Sequence, residues 1–410
     1  MSRRWIRGGR LPGGRLIDIA VRDGVIDSII DHRPDGEEGD ELNGWLLLPP
    51  MTEPHAHLDK ALTAEIVKNP RGDLDGAIQA WSAAAADGLF TPENVIERAT
   101  AAIERLLVSG VTSVRTHVNV TPDVGATNVH ALRQVRDAFE GLVDLQIVAL
   151  TKAPMIGPDA APNRAALHHA LEAGVDVVGG CPHLESLGTE SVAYAFDAAG
   201  DAGLPIDLHT DETLDPTVLT VLDMANRVSD YGFSHGVGAS HCVSLGVQAP
   251  DTQRLIAARI AEAGIAVLPQ PQTNLYLQGR ENLTATPRGL TAIRALLDAG
   301  VVVAAGADNV QDPYNLVGRS DPLETAALLV MAGHVMPDEA YEMVSNNGRR
   351  ALGLAPVEFR AGCAADFVAI DSPSIRAAIA DAPRSRRVYR AGRLVASSDQ
   401  QTAVHWREPT

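Results

Sequence analysis

A chain of 410 residues with 45% hydrophobic and 21% charged side chains can bury a large core, and its length suits one large domain with a smaller one. Its 52 acidic against 34 basic residues give a formal charge of −18 without long single-sign runs, which argues against a nucleic-acid backbone or an anionic membrane as partner and leaves a small molecule. Cys181, Cys242 and Cys363 are odd in number, far apart and in no CxxC spacing, so neither a disulfide framework nor a cysteine zinc site is expected, and a reducing cytoplasm is the expected compartment.

In chain order, the opening MSRRWIRGGRLPGGR has arginines but no apolar run behind them, and no uninterrupted apolar stretch reaches membrane-spanning length, so neither an export signal nor a membrane segment is expected. Residues 1–48 hold short β-like pieces such as LIDIAVRDGVIDSII, with Gly24 at a turn. From 49 to 354, short β-branched runs alternate with alanine-rich helical stretches. The runs VTSVRTHV, VDLQIVAL, VDVVGG, LPIDLHT, GVGASH, IAVLPQ and VVVAAGA each follow a helix-like segment. With LLLPP counted first they make eight strands, the number that closes an α/β (β/α)₈ barrel, whose chemistry sits at the C-terminal strand ends. From 355 to 410, AGCAADFVAIDS and RSRRVYRAGRLVASS return to short strands, and the two chain ends are expected to meet in one small β domain.

Polar residues stand at the ends of those strands. After LLLPP comes EPHAHLDK, where residues two apart share a face, so His55 and His57 can turn toward one metal ion. His117 follows strand two, Lys152 strand three, His209 with Glu212 strand five, His241 strand six and Asp308 strand eight. One histidine at a strand end is most often a capping or core group, but so many metal- and proton-binding residues on one rim point to a site.

The chain resembles the amidohydrolase superfamily, and within it the bacterial cytosine deaminase group, which also includes hydrolases of substituted triazines such as the N-isopropylammelide isopropylaminohydrolases. The segments that carry the resemblance are PPMTEPHAHLD, VTSVRTHVNV, LQIVAL, LEAGVDVVGGCPHLE, IDLHTDE, ASHC, TNLYLQGR, GADNVQDPY and AGCAADFVAI. It implies a barrel flanked by a β-sandwich from both termini, with metal ligation by His55, His57, His209 and Asp308. Three imidazoles and a carboxylate suit Zn²⁺ or Fe²⁺ and leave a position for water, whose pKa such an ion lowers from about 15.7 to about 7. By the same resemblance His241 orients the resulting metal-bound hydroxide, Asp308 accepts its proton, and Glu212 protonates a ring nitrogen so that an amino or alkylamino group can leave. Dinuclear relatives bridge two metals with a lysine at the end of strand four. Here that strand ends VVGGCPHLE, so one ion per chain is expected. His117 stays off the catalytic list, and His183 and Glu185 are as well read as shaping their loop as touching substrate.

Departures from the family set the substrate expectation. Lys152 stands near the glutamine that reads the pyrimidine edge in cytosine deaminases, Asn309 replaces an acid, and Tyr314 a tryptophan. Lys60, Lys68 and Lys152 are the chain's only lysines, and Lys60 and Lys152 flank the expected site. A donor-only cation in place of an amide turns the expectation from cytosine toward substrates with oxygen-rich or anionic edges. Gln278, in TNLYLQGR, is a further candidate for substrate contact. Two other readings are ring opening of a cyclic amide, disfavoured by the missing lysine and the presence of Glu212, and a silent barrel, disfavoured by the complete set of ligands, base and acid. The resemblance also implies a homo-oligomer.

Overall fold

The computed structural model describes residues 3–405 and divides into two compact units. The first runs to Pro50, includes Leu107–Gly110 and resumes at Val357; the second takes Met51–Leu106 and Val111–Pro356. In chain order the strands are β1 (Arg4–Arg10), β2 (Leu16–Arg22), β3 (Val25–Asp31), β4 (Asp40–Glu41) and β5 (Leu46–Leu48), then β6 (Met51–Ala56), β7 (Val111–Val120), β8 (Asp144–Thr151), β9 (Val177–Gly180), β10 (Ile206–Thr210), β11 (Val237–His241) and β12 (Ala266–Leu268), and last β13 (Phe367–Ile370), β14 (Arg386–Arg390) and β15 (Arg393–Ser398).

Strands from both ends of the chain form one hydrogen-bonded sheet in the first unit, ordered β15-β14-β13-β5-β1-β2-β3, with β4 paired to β1. Alternation along these strands places Ile6, Ile17, Ile19, Val21, Leu47, Phe367 and Tyr389 in one apolar cluster. The turn at Gly24 has φ +51° at Asp23 and +82° at Gly24, the two positive values that a type I′ hairpin needs. Leu46–Leu48 belongs to this sheet rather than to the barrel, since Leu48 pairs with Val368 and Leu46 with Ile370. Pro49 and Pro50 lack the N–H groups to carry that ladder onward, so the barrel's first strand begins afresh at Met51.

The second unit is the barrel. Seven parallel strands lie in chain order, β6 to β12, and helices such as Thr127–Ala138, Ala161–Glu172, Gly188–Ala202 and Thr220–Tyr231 cross between consecutive strands. The run VVVAAGA closes the ring only through isolated parallel bridges, Val267 to Val303 and Ala56 to Asp308. Side chains replace the missing ladder: Gly306 N donates to Gln270 Oε1, and Ala307 N donates to Glu53 at 2.9 and 3.1 Å. A Cβ on Gly306 would fall 2.3 Å from Glu53 Oε1, which is why glycine stands there. Among the described residues no helix is long and apolar enough to cross a membrane.

Candidate active site

At the C-terminal end of the barrel, His55 lies on β6 with His57 just beyond it, His209 on β10, and Asp308 at the bridge that closes the ring. His209 Nε2 is 3.2 Å from the Nε2 atoms of both His55 and His57, and Asp308 Oδ1 is 3.1 Å from His57 Nε2 and 3.7 Å from His55 Nε2. Ligands 2.0–2.1 Å from one tetrahedral ion would stand about 3.3 Å apart. Burial holds His57 down at about 3 and keeps His55 and His209 well below the usual imidazole range, so all three are neutral. Asp308 Oδ1 is buried without a hydrogen-bond partner. Three imidazole nitrogens gathered round a buried, unpaired carboxylate oxygen form a donor set that fits one divalent ion.

Glu212 and His241 border this cluster. Asn274 Nδ2 donates to His241 Nδ1 at 3.2 Å, which places the ring's proton on Nε2, a buried atom with no protein partner. His241 thereby turns an N–H toward the site, and its ring also falls in a group with His55 and His209 whose donor atoms lie within 4.8 Å of one another. Glu212 is 3.7 Å from His241, and burial, with the Asp308 charge adding to it, pushes its carboxyl well above the usual range. Burial thus favours its protonated form. Backbone strain accompanies the chemistry, as Asp211, His241 and Asp308 hold φ of +54°, +71° and +68°. Asp211 secures its position by accepting from Thr220 N, Thr220 Oγ1 and Val221 N, which pins the loop carrying Glu212.

His57, His209, Glu212, His241 and Asp308 open into a cavity of about 280 Å³, which Lys60, Lys152, Asn309 and Tyr314 also line. The two lysines differ. Lys60 is buried, and Asp59 Oδ1, Asp59 Oδ2, Asn119 Oδ1 and His57 Nδ1 surround its ammonium at 3.0–3.3 Å. Lys152 is exposed. Lys152 thus meets the cavity as an exposed cation, whereas the buried ammonium, Lys60, is already paired. Gln278 requires a correction. It does not line the cavity, and its amide donates to the Glu212 backbone carbonyl at 3.2 Å. In the helix Pro271–Leu277, Asn274 reaches Glu212 and His241, and Thr273 hydrogen-bonds Asp308.

Sequence reading missed the apolar wall. Helix α1 (Leu74–Ala86), inserted after β6, sends Leu74, Ile78 and Trp81 to the cavity, and Phe90 stacks on Trp81 with ring centroids 3.9 Å apart. Only the three-dimensional path of this insertion shows it. His183, left open above, does line the cavity, with Nδ1 2.8 Å from the His209 carbonyl; Glu185 instead ties its loop by accepting from Met155 N. His117 packs its ring 3.9 Å from that of His55, beneath the ligands, and does not line the cavity.

A (β/α)₈-type barrel with histidines and an aspartate gathered at its strand ends defines a class, and the family comparison agrees with it. The family model described as "Amidohydrolase family" matches residues 63–396, and the chain belongs to that family. Among similar proteins, the pterin deaminase of Rhizobium rhizogenes is 29% identical over 396 residues, 92% of this chain and 87% of its own. The 5-methylcytosine deaminase of Klebsiella pneumoniae, solved with 5-fluorocytosine, superposes with a TM-score of 0.89 at 29% identity, covering 98% of this chain and 99% of that one. N-isopropylammelide isopropylaminohydrolase from Burkholderia multivorans gives a TM-score of 0.82 at 27% identity, covering 97% and 99%. With such relatives the chain is a hydrolase acting on C–N bonds other than peptide bonds.

Proposed function

We propose that this hydrolase removes an amino or alkylamino group from a nitrogen heterocycle, with one divalent transition-metal ion per chain held by His55, His57, His209 and Asp308. The observation that carries the reading is Glu212, a buried carboxyl whose protonated form burial favours, set beside the ligand cluster and lining an apolar-walled cavity. When bound, the ion makes water acidic enough to supply hydroxide at neutral pH. β9 is followed by Cys181 where a bridging lysine would stand, which supports a single ion.

The chain's own residues divide the proton work. Nε2–H of His241 donates to the attacking oxygen and fixes its direction. The Asp308 carboxylate takes the proton that this oxygen loses. Glu212 passes its proton to a ring nitrogen next to the carbon under attack, so the tetrahedral adduct gathers no full negative charge. The proton on Asp308 then moves to the exocyclic nitrogen, the C–N bond breaks, and ammonia or an amine departs. Trp81 and Ile78 give a flat ring an apolar wall to lie against, while Tyr314 and Asn309 border it with polar groups. Lys152 offers a solvated cation to an oxygen or carboxylate substituent at the ring's outer edge.

Three relatives named for three different rings support the reaction more strongly than any one substrate. The test is a screen of the metal-loaded protein against aminopyrimidines, aminotriazines and pterins, with ammonia or amine measured and the product examined by mass. Release of the exocyclic nitrogen with the ring intact is the expected result. Ring opening without amine release would assign the site to cyclic amide hydrolysis instead.

A further inference from the structure

A neutral imidazole carries one proton, and His55 can turn its Nε2 lone pair toward an ion shared with His209 and Asp308 only if that proton sits on Nδ1. Nothing in the ring itself selects that tautomer. Its surroundings do. His55 Nδ1 is 2.9 Å from Ser240 Oγ on β11, a strand that does not pair with β6. The Ser240 hydroxyl has a single proton, and it points to Asp207 Oδ1 at 2.7 Å. With its proton given away, Oγ has only lone pairs left for His55. Nδ1 must therefore be the protonated nitrogen, and Nε2 the free one.

Asp207 is kept as an acceptor from the other side. Arg115 Nη1 donates to Asp207 Oδ2 at 2.8 Å, and the rest of that guanidinium is committed to Gln146 Oε1 and the Ala351 carbonyl. Arg115, Asp207, Ser240 and His55 are all at most 3% exposed, so water does not compete for these contacts. Space is reserved for them as well: a Cβ on Gly238 would lie 2.9 Å from Asp207 Cγ.

We infer that Ser240 and Asp207, backed by Arg115, are positioning residues that lock His55 in the Nδ1-protonated tautomer and so hold its Nε2 lone pair ready for a metal ion. The inference rests on the proposed reading of His55 as a ligand. Partners behind a ligating histidine typically change metal affinity by about 10–100-fold when removed. Ser240→Ala leaves the Nδ1 proton without an acceptor, whereas Ser240→Thr keeps a hydroxyl that can still bridge to Asp207.

Zinc affinity is measured by competition with a chromophoric chelator, with circular dichroism checking the fold, and the histidine tautomers of the zinc-free wild-type protein are read from ¹⁵N chemical shifts. The expected result is a loss of zinc affinity on the order of 10–100-fold for Ser240→Ala, recovery for Ser240→Thr, and an Nδ1–H His55 in wild type. Wild-type zinc affinity in a folded Ser240→Ala protein, or an Nε2–H His55 in wild type, overturns the inference; the wild-type spectrum decides even if the variant does not fold. His55→Ala separates the two levels. If it binds zinc as wild type does, the ligand reading itself has failed. If it loses zinc while Ser240→Ala keeps it, only the positioning role has failed.

Discussion

Asp18 in the terminal sheet and Asp312 in the barrel are both buried carboxylates with three hydrogen-bond donors around them, yet they titrate in opposite directions. Asp18 accepts from Gly8 N and Arg33 N and lies 2.7 Å from His32 Nδ1; burial raises its carboxyl, but these partners outweigh burial and hold it below the usual range. Asp312 accepts from Asn309 Nδ2, Tyr314 N and Asn315 N, and burial still pushes it up to about 7, outweighing these donors and the Lys60 charge that lower it. Glu212 and Asp308 are raised for the same first reason. The sheet buries a carboxylate that its partners hold ionised, whereas the barrel rim buries acids whose carboxyls are pushed upward and, at Asp211, His241 and Asp308, backbone that is strained. One arrangement stabilises the fold. The other stores proton-transfer capacity at some expense of stability.

The sharpest way to break this contrast is at Glu212. Glu212→Gln should lower turnover by a factor on the order of 10²–10⁴ while leaving metal content unchanged, since a positioned proton donor is lost and no ligand is. Metal analysis beside steady-state rates checks both halves, and loss of the ion would make Glu212 a ligand. The next largest effect concerns pH. With its folded carboxyl near 7 against an unfolded value of 3.8, Asp312 binds more protons in the native state, so stability declines as pH rises through that window. At 1.36 kcal/mol per unit this amounts to a few kcal/mol. Urea unfolding of the metal-free protein across that range should show a flatter slope in Asp312→Asn.

Asp18 should behave with the opposite sign. Its folded carboxyl is depressed, so its contribution is present in full above the unfolded value of 3.8 and is lost as pH falls through the lower folded value. Asp18→Ala should cost about 2–3 kcal/mol near neutrality by stranding its buried donors, and the difference from wild type should shrink in acid. A smaller change is expected at the cavity wall. Trp81→Ala should raise KM by roughly tenfold with less effect on kcat, the scale of one aromatic stacking partner. A fall in kcat alone would remove Trp81 from substrate binding.

Features fixed by local chemistry were legible in the sequence, and those fixed by distant contacts were not. The Asp23–Gly24 hairpin, the β-branched strands and the His55–His57 pair follow from spacing and turn geometry. LLLPP misled because an apolar run does not reveal which sheet it joins; only the pairing of Leu48 with Val368, far along the chain, decides it. The eighth strand was legible as a β-branched run, but its loss of a regular ladder depends on Glu53 and Gln270 reaching Gly306 and Ala307. Lys152 and Lys60 look alike in sequence, and burial alone separates them. Gln278 and Asn274 lie one helical turn apart, so choosing between them needs the direction of the helix relative to Glu212. Ser240 and Asp207 stand inside the segments ASHC and IDLHTDE, but neither segment reveals their relation to His55, which spans three strands.

The central claim is that one metal ion per chain drives release of an exocyclic nitrogen from a heterocycle. Its most direct test is to strip the protein of metal and titrate Zn²⁺ or Fe²⁺ back while following amine release from a heterocycle found in the screen. Activity should rise from baseline in proportion to added metal and level off at one equivalent. A plateau at two equivalents, or full activity in the stripped protein, would contradict it.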